Sequence, residues 1–478
     1  MVSHLGRYCP SYHVFPAKGW MNDPNGLILY KGEYHLFFQH NPDDTVWGPM
    51  NWGHFVSDDL MHWEELDIAL CPDRHGTIFS GCVVYDSGNT SGVVPGGGLV
   101  AVYTYHKEDA DFGQQQTQGL AFSLDRGRVW TPFAGNPIIK AEDKAGARDF
   151  RDPRVFRYMD YWALVLAAGD HLCFYRSDNL VDWRPSGIFD FPFPGCVMEC
   201  PDLFPLRESE SGEDAWILII SLSTGAPAGG SGTVYFVGAF NGSAFSPISG
   251  PRWLDWGPDN YAGSTWDTGT ERIFIGWMNN WRYARDIPAA AGRSRGSMSV
   301  PRKLSLLNSR GSGWVLCQSP VIPEGGQSEG MRAIGPLAVG QARSLGTVPC
   351  HSIQKIRIER KDEGPIEASL RWTYECGAAL WVLVRGSGGE LIIDRSDCGA
   401  VDFNSSFVGR ISVPLARRTN VFEATLLFDT TSLELFAEDG ASVASVLIFP
   451  ERTDADMALD IVAGDDGTTV SVSWRRVF

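Results

Sequence analysis

The sequence lacks the features that mark several large classes of protein. No long stretch of its 478 residues keeps the i, i+3, i+4, i+7 apolar spacing of an amphipathic helix, so a helical fold is not expected. No apolar run reaches the roughly 18 residues that a transmembrane helix requires. The chain has 10 cysteines but no Cys-x-x-Cys pair, which disfavours a zinc ribbon or a thioredoxin-like site. We therefore expect reduced cysteines, no bound metal and no cofactor.

Positive charge is also scarce. The formal net charge is −17 at pH 7, whereas nucleic acids and acidic membranes attract basic surfaces. The first residues, MVSHLGRYCPSYHVFP, do not show the basic segment followed by an apolar segment that is typical of a secretory signal. These absences predict a cytoplasmic protein, unless a leader has been removed, that binds neither nucleic acid nor membrane. The sequence leaves the oligomeric state open.

Aromatic and turn-forming residues are abundant instead. The chain has 17 Trp, 53 Gly and 28 Pro, a composition typical of short strands joined by tight turns. Residues 27–30 and 34–38 flank the turn residues Lys-Gly-Glu and are predicted to form a hairpin. Similar short apolar runs follow along the chain. The sequence therefore predicts an all-β fold.

A repeated motif divides the first part of the chain. Each copy has Ser and Asp, then a turn and then Trp: Ser57-Asp-Asp-Leu-Met-His-Trp, Ser123-Leu-Asp-Arg-Gly-Arg-Val-Trp and Ser177-Asp-Asn-Leu-Val-Asp-Trp. A period of about 50–60 residues with several strands per unit is typical of propeller blades, and about five such units are predicted. The Asp residues are expected to bind turn amides and the Trp rings to fill gaps between strands.

The pattern changes after residue 308. Residues 319–347 are rich in Pro, Gly and Ser, and short alternating strands return beyond them, as in a β-sandwich. We predict a five-bladed β-propeller at residues 1–310, a linker region at 311–346 and a C-terminal β-sandwich domain at 347–478. The last domain shows no compact group of Asp, Glu and His beside Trp, so we expect it to support the first.

Three carboxylates stand close to proline in the predicted propeller. Asp23 lies in WMNDPNG, Asp152 in DFRDPR and Glu199 in CVMECPD. Proline removes a backbone donor and favours extended geometry in the residue before it, so each acid is held in a fixed direction. Because the inner strands of all blades begin around one axis, these distant acids are expected to converge at one mouth.

Aromatic and amide side chains accompany the acids. An ordinary turn explains each proline motif when it is taken alone. A neutral polyol ring, however, requires aromatic faces for its C–H groups and amide or carboxylate oxygens for its hydroxyls. The neighbours that meet this need are Trp20, Asn22, Gln39, Trp47, Phe79 and Ser80.

Seven short motifs follow one another along the chain: WMNDPNG from residue 20, FSG from 79, FRDP from 150, ECPD from 199, LDWGPD from 254, GWMNNWRY from 276 and MSVPRKL from 298. Together they resemble the motif set of glycoside hydrolase family 32, the β-fructofuranosidases, which include invertases, exo-inulinases and levanases. The resemblance covers nearly the whole chain. It implies a five-bladed β-propeller with a C-terminal β-sandwich, and an enzyme that acts on fructosides.

The resemblance also implies a role for each acid. Asp23 resembles the nucleophile, Glu199 the general acid/base and Asp152 the stabiliser of the transition state. Retaining glycosidases use two carboxyl groups roughly 5–5.5 Å apart, one to form a covalent glycosyl-enzyme and one to protonate the leaving group. The same resemblance places the following residues around the fructose ring or beside Asp152: Asn22, Gln39, Trp47, Phe79, Ser80, Arg151 and Trp281.

The implied activity is the release of terminal β-D-fructose from sucrose and fructooligosaccharides, with inulin and levan as further candidates. A fructosyltransferase that makes fructooligosaccharides from sucrose would carry the same residues and is the first alternative. An inverting five-bladed glycosidase, with carboxyl groups roughly 6.5–9.5 Å apart, and a non-catalytic fructan-binding protein are the others. The chain departs from the family pattern at Met198, at Asn260 and in the stretch Gly292-Arg-Ser-Arg-Gly-Ser. These departures leave the catalytic carboxylates unaffected, but they leave the form of the pocket rim, and with it the leaving-group preference, open.

Overall fold

The computed structural model describes residues 6–109, 113–140, 148–309, 313–322, 329–407, 409–416 and 419–477. Within these ranges every regular element is a β-strand, apart from a 3-10 turn at Glu438–Gly440. None of the helical structure in this part of the chain is long and apolar enough to cross a membrane. The predicted all-β fold is confirmed, as expected for short runs of aromatic and β-branched residues between Gly and Pro.

Five sheets make up the amino-terminal part of the chain, and the first four are antiparallel meanders. Blade I contains β1 (Gly19–Tyr30), β2 (Glu33–Asn41), β3 (Asn51–Ser57) and β4 (Glu64–Leu70). Blade II contains β5 (Thr77–Asp86), β6 (Gly98–Asp109), β7 (Gly113–Ser123), β8 (Thr131–Pro132) and β9 (Ile139–Lys140). Blade III contains β10 (Phe150–Tyr158), β11 (Tyr161–Ala168), β12 (His171–Ser177) and β13 (Arg184–Asp190). Blade IV contains β14 (Met198–Arg207), β15 (Asp214–Leu222), β16 (Gly232–Phe240) and β17 (Phe245–Trp253).

The fifth sheet closes the ring. Blade V contains β18 (Tyr261–Asp267), β19 (Arg272–Trp277), β21 (Arg302–Ser309) and β22 (Gly313–Pro320), and the short strand β20 (Ser294–Arg295) pairs in parallel with β1. The innermost strands β1, β5, β10, β14 and β18 contact one another in sequence, and the last contacts the first. The predicted five-bladed propeller is confirmed.

Each innermost strand carries a β-bulge, in which two residues stand opposite one residue of the next strand. The bulged pairs are residues 22–23, 79–80, 152–153, 200–201 and 262–263. Three bulged residues have positive φ, namely Asp152 at 66°, Cys200 at 47° and Ala262 at 54°, a conformation that is unfavourable for residues other than glycine. The bulged residues line the cavities on the propeller axis, so the bulges bring side chains of all five blades together.

The repeated Ser-Asp-Trp motif forms the turn after the third strand of blades I to III. In blade I, Asp59 accepts hydrogen bonds from the Met61 and His62 amides at 2.8 and 2.7 Å. Trp63 donates its indole N–H to a carbonyl of the same turn at 3.1 Å. Blades II and III repeat this pattern, but in blade III the amide oxygen of Asn179 replaces the expected carboxylate. The structural role predicted for the motif is otherwise confirmed.

The remaining strands form two six-stranded antiparallel sheets that enclose one apolar core. The first has the order β23 (Gly330–Leu337), β34 (Thr468–Arg476), β25 (Ser352–Arg360), β30 (Val421–Asp429), β31 (Ser432–Ala437) and β32 (Ser442–Leu447). The second has the order β24 (Ala342–Val348), β33 (Met457–Ala463), β26 (Glu367–Thr373), β27 (Ala379–Arg385), β28 (Glu390–Asp397) and β29 (Arg410–Pro414). Buried and more exposed residues alternate along most of these strands, as in a sandwich, whereas β31 and β32 are buried throughout. The predicted β-sandwich is confirmed.

The exact limits of the two units remain a proposal. Strand β22 pairs within blade V, and β23 pairs within the first sandwich sheet. Both strands lie in the segment 311–346, for which the sequence predicts a linker. The predicted limits, 1–310 for the propeller and 347–478 for the sandwich, therefore cut these strands off from their sheets, and we propose that the propeller extends to Pro320 and the sandwich begins at Gly330.

Buried ion pairs join the propeller to the sandwich. Arg302 of β21 is fully buried and donates to Asp255 at 2.9 Å and to Glu434 of β31 at 3.1 Å. Arg395 of β28, also fully buried, donates to Asp259 at 2.8 Å. An unpaired charge at such a site would cost several kcal/mol, so Arg302 and Asp259 of the propeller require Glu434 and Arg395 of the sandwich as partners. These pairs therefore fix how the sandwich sits against the propeller.

The segment before β1 adds a further buried charge. His13 bonds to Asp429 Oδ2 through Nδ1 at 2.7 Å and to Glu434 Oε1 through Nε2 at 2.8 Å. Because a carboxylate accepts from each ring nitrogen, the imidazole carries both protons. Burial by itself would lower the pKa of His13, but the hydrogen bonds to Asp429 and Glu434 raise it to about 9.

The contribution of His13 to stability should therefore disappear at alkaline pH. Its folded-state pKa lies above the ordinary value of 6.5, so the stabilisation is fully present below pH 6.5 and is lost as the pH rises through about 9. The difference in unfolding free energy between the wild type and His13→Gln should shrink by about 2–4 kcal/mol across this window. Urea denaturation at a series of pH values measures this difference.

The matched control is His62→Gln, because His62 is bonded to Asp59 but its side chain is 68% exposed. Exposed pairs contribute about 0–1 kcal/mol, so this variant should stay close to the wild type throughout. A His13→Gln difference that stays constant with pH would contradict the assignment of a charged, buried imidazole.

Candidate active site

A cavity of about 250 Å³ opens on the propeller axis, where the bulged strands meet. All ten residues that the sequence assigns to the site lie on its wall: Asn22, Asp23, Gln39, Trp47, Phe79, Ser80, Arg151, Asp152, Glu199 and Trp281. The bulges explain this convergence, because five of the ten are bulged residues and Gln39 stands opposite the bulge of β1. The roles of these residues remain predictions, but their common location is a property of the structure.

Asp23 is held by donors on both of its carboxylate oxygens. Ser80 Oγ donates to Oδ2 at 2.7 Å, and Asn22 Nδ2 donates to Oδ1 at 2.9 Å. The indole N–H of Trp20 donates to Asn22 Oδ1 at 2.7 Å, so the amide of Asn22 can present only its NH₂ group to the acid. Burial raises the pKa of Asp23, while the bonds from Ser80 and Asn22 lower it. The Trp and Asn that precede this acid therefore orient it.

Cys200 connects two of the acids. Its backbone N–H donates to Asp152 Oδ2 at 2.9 Å, and its thiol lies 3.5 Å from Asp152 Oδ2 and 3.5 Å from Asp23 Oδ2. Burial raises the pKa of Asp152 to about 7, with Arg151 opposing this change and Asp23 and Glu199 adding to it. Burial, together with the surrounding carboxylates, also raises the pKa of the Cys200 thiol well above its ordinary value. Cys200 is therefore a neutral donor to the acids.

Glu199 lies between a guanidinium and a phenol. Arg151 Nη2 donates to Oε1 at 3.0 Å, and the Tyr261 hydroxyl donates to Oε2. Arg151 also donates to Asp149 at 2.6 Å and to Gln116 at 3.3 Å, which fixes the plane of its guanidinium. Burial by itself would lower the pKa of Arg151, but Glu199 and the neighbouring aspartates raise it. The pocket thus contains one acid held by neutral donors and a second beside a permanent cation, so these two carboxyl groups lie in different electrostatic environments.

Comparison with known proteins agrees with this geometry. The family model for the N-terminal domain of glycosyl hydrolases family 32 matches residues 13–320, and that for the family's C-terminal part matches residues 341–475. The chain belongs to glycosyl hydrolases family 32. In the described residues, no group of three or more His, Cys, Asp and Glu side chains is arranged to hold a metal ion.

Individual relatives resemble this family 32 chain over nearly its whole length. The levanase of Bacillus subtilis is 38% identical over 97% of this chain and 69% of its own length. The extracellular exo-inulinase of Aspergillus awamori is 34% identical over 97% of this chain and 93% of its length. A crystal structure of exo-inulinase from that organism superposes with a TM-score of 0.87 at 32% identity, covering 99% of this chain and 98% of the other. The β-fructofuranosidase of Schwanniomyces occidentalis, solved with fructosyl-erythritol, gives a TM-score of 0.87 at 27% identity over 98% of both chains.

Aromatic rings form the outer wall of the family 32 pocket in this protein. Trp281 stacks on Trp20 with ring centroids 6.2 Å apart, and Trp47 meets Phe79 edge-on at 6.1 Å. The guanidinium of Arg285 lies 6.0 Å from the Trp47 ring centroid. Such faces suit the C–H groups of a sugar, and the cation contact helps to hold the Trp47 ring.

The structure places Met198, Asn260 and Gly292, which mark the departures from the family pattern, outside the pocket wall. Met198 is fully buried in the apolar core between blades III and IV. Asn260 is 2% exposed, and neither polar atom of its side chain finds a hydrogen-bond partner among the described residues. Gly292 lies in an exposed turn with a φ of 69°. For Met198 the physical reason is that neighbours along a strand point to opposite faces, so Met198 faces the core while Glu199, next to it on β14, faces the cavity.

Sequence reasoning missed five residues of the pocket wall: His106, Gln114, Gln116, Asp149 and Arg285. Gln114 and Gln116 are two residues apart on β7 and therefore share one face of the strand. This spacing is the sequence signal by which they could have been predicted. His106 pairs with Gln116 across the β6–β7 hairpin, which only the strand register reveals. Tyr261 reaches Glu199 from another blade, and only closure of the ring brings them together.

Cys200 should resist thiol reagents in the folded protein. The thiolate is the reactive form, and its population is small because the pKa of this thiol is raised. At mildly alkaline pH we expect iodoacetamide to modify Cys200 at least about 100-fold more slowly than the exposed Cys71 and Cys376. Peptide mass spectrometry over a time course measures the rates, and in urea the three rates should become similar. Rapid labelling of Cys200 in the native protein would contradict the described environment.

Proposed function

We propose that the protein is a retaining exo-glycosidase that releases terminal β-D-fructose from sucrose and fructooligosaccharides and also acts on inulin and levan. The observation that carries this proposal is the convergence of Asp23, Asp152 and Glu199 in one pocket, each held by different partners. The names of the levanase and the exo-inulinase support fructans as the substrate class. The fructosyl-erythritol complex of the Schwanniomyces occidentalis enzyme supports a fructosyl group as the bound unit.

The shape of the pocket supports action at a chain end. Below the bulges, the propeller axis leaves a void of only about 20 Å³, which has room for about one water molecule. A sugar ring cannot pass this floor. A terminal fructose unit is therefore expected at the bottom of the cavity, while the rest of the substrate leaves through the mouth.

The first step forms a covalent intermediate. Asp23 attacks the anomeric carbon of the fructosyl unit, and the bond from that carbon to the leaving oxygen breaks. Glu199 gives its proton to this oxygen, so that the leaving group departs as a neutral alcohol. The hydrogen bonds from Ser80 and Asn22 direct the attacking carboxylate. A fructosyl ester on Asp23 remains.

The second step releases fructose. Glu199, now ionised and stabilised by Arg151, takes a proton from water, and the water oxygen attacks the anomeric carbon while Asp23 departs. Asp152, anchored by the Cys200 amide, is placed to bind hydroxyls of the fructose ring. These contacts strengthen as positive charge develops on the ring in the transition state. Both steps together retain the configuration at the anomeric carbon.

Hydrolysis is favoured over the alternatives by the site and by the relatives. Bringing three carboxylates together in one pocket is costly, and neutral sugar binding alone does not require it, so a purely binding function is disfavoured. A fructosyltransferase needs an acceptor sugar that outcompetes water, and the named relatives are a levanase, an exo-inulinase and a β-fructofuranosidase. One of these relatives, the exo-inulinase of Aspergillus awamori, is extracellular.

Purified protein incubated with sucrose, inulin and levan should release free fructose. With sucrose, glucose and fructose should appear in equal amounts, because water is the acceptor. Asp23→Asn should lower kcat by at least about 10³-fold, because the neutral amide cannot form the fructosyl ester. Asp125→Asn, which changes a turn carboxylate of blade II outside the pocket, is the control that should stay active. Chromatography of the products over time measures all of these quantities.

The product pattern separates the alternatives. Glucose in excess of fructose, together with new oligosaccharides, would show transfer instead of hydrolysis. A folded sample that forms no product from any of the three substrates would refute the fructosidase proposal.

Removal of the Ser80 hydroxyl should shift the acid limb of the pH profile. This hydroxyl lowers the pKa of Asp23 against the effect of burial, so Ser80→Ala raises that pKa further and a higher pH is needed to ionise the nucleophile. The acid limb of kcat/KM for sucrose should move to higher pH, and the optimum value should fall about 10- to 100-fold, as expected for a lost bond to a charged group. Ser80→Thr keeps the hydroxyl, so the acid limb of kcat/KM should lie at its wild-type pH in this variant. An unchanged limb in Ser80→Ala would show that this bond does not act on the nucleophile.

A further inference from the structure

The pocket wall beside Glu199 contains a chain of hydrogen bonds that the proposed mechanism does not use. Arg151 donates to Glu199 through Nη2 and to Gln116 Oε1 through Nη1 at 3.3 Å. The other end of the same amide, Gln116 Nε2, lies 3.2 Å from His106 Nδ1. The chain therefore runs from the proposed acid/base along the wall to His106.

This chain fixes the proton of His106. A guanidinium can only donate, so Arg151 receives the oxygen of the Gln116 amide, and the NH₂ group of that amide faces His106. Nδ1 of His106 must then accept, which places the proton of the neutral ring on Nε2. Burial, with Arg151 adding to its effect, lowers the pKa of His106 and keeps the ring neutral at neutral pH.

The ring of His106 is also held in position. Phe79 stacks on it with centroids 4.3 Å apart and planes inclined by 6°. His106 lines the cavity, and its Nε2 has no hydrogen-bond partner among the residues that the structure describes. The pocket wall thus presents one oriented N–H donor, with the amide of Gln114 also on the wall.

The position of this donor relative to Glu199 decides which part of a substrate it meets. Glu199 protonates the leaving oxygen, so the leaving sugar must lie beside Glu199 and its partner Arg151. Gln116 contacts Arg151 directly, and His106 contacts Gln116. The nucleophile, by contrast, is held by Asn22 and Ser80.

We propose that His106 determines leaving-group preference by donating its Nε2–H to a hydroxyl of the leaving sugar, with Gln114 as a second polar contact. This inference rests on the proposed fructosidase function. A neutral hydrogen bond that is made only to the leaving group should change kcat/KM about 3- to 10-fold for substrates that carry the hydroxyl. Substrates without it should be unaffected, so the donor acts on selectivity and not on the reaction itself.

The test compares two substrates that differ only in the leaving group. Sucrose releases a sugar, whereas methyl β-D-fructofuranoside releases methanol, which has no further hydroxyl. His106→Phe keeps an aromatic ring on Phe79 and removes the donor. It should lower kcat/KM for sucrose about 3- to 10-fold, leave kcat/KM for the methyl fructoside within about twofold, and leave inhibition by free fructose unchanged.

Two further variants make the result specific. His106→Gln carries amide donors and should recover part of the preference for sucrose. His75→Phe is the matched control, because His75, in the turn just before β5, also packs on an aromatic ring, Tyr105 of β6, and does not line the cavity. It should behave as the wild type on both substrates.

Each remaining outcome has a defined meaning. Equal losses on both substrates in His106→Phe would show that His106 acts only through Gln116 and Arg151, and would overturn the inference. No loss on either substrate would also overturn it. Wild-type protein that cleaves neither fructoside would refute the proposed function, and the inference with it, whereas an active wild type with an unchanged substrate ratio in the variant would refute the inference alone.

Discussion

Mutual repulsion among three neighbouring carboxylates constrains the whole pocket. Burial raises the pKa of Asp152 to about 7, and Asp23 and Glu199 add to this effect. Like charges held close together would otherwise take up protons or force the strands apart. The guanidinium of Arg151 beside Glu199, and the hydrogen-bond donors on individual oxygens of Asp23 and Asp152, offset this repulsion. Because those partners differ, the three acids lie in different electrostatic environments.

Aiming these donors depends on backbone conformations that are unfavourable in isolation. Asp152 and Cys200 both have positive φ, at a cost on the order of 1–3 kcal/mol each. Contacts between blades hold the backbone in place just past the bulge of β14. Asp202 pairs with Arg154 of blade III at 2.9 Å and accepts the Thr265 amide of blade V at 2.9 Å. Closure of the ring of five blades therefore stabilises the bulges, and the bulges position the acids.

The sequence predicts those parts of the site that depend on continuous stretches of chain. Asp23 could be found because Asn22 and Trp20 stand beside it, and the structure shows that these two residues form its hydrogen-bond chain. The number of blades could also be predicted, because the Ser-Asp-Trp turn lies within one short stretch of chain and repeats at a period of about 50–60 residues. His106 and Tyr261 could not be found, because their roles arise from strand register and from contacts between blades.

Two residues that depart from the family pattern, Met198 and Asn260, show the same limit of prediction from sequence. Met198 directly precedes Glu199 in sequence, but it packs in the core between blades while Glu199 lines the pocket. Position along the chain indicates that two residues are close, but the face of the strand decides whether they share a site. The fully buried amide of Asn260 is likewise next to Tyr261 without touching the cavity.

In this pocket, the residues that we propose to cleave the bond and those that we propose to set selectivity lie on different kinds of backbone. In the proposed mechanism the nucleophile Asp23 and the stabiliser Asp152 stand on bulges, where a changed side chain disturbs either a strained φ or the balance among the acids. His106 and Gln114, which we propose to contact the leaving group, lie in the regular strands β6 and β7 without positive φ. A substitution there changes the donors offered to the substrate while the bonds to Asp23 stay intact. The same ring of strands can therefore accept different leaving groups without rebuilding the groups that cleave the bond.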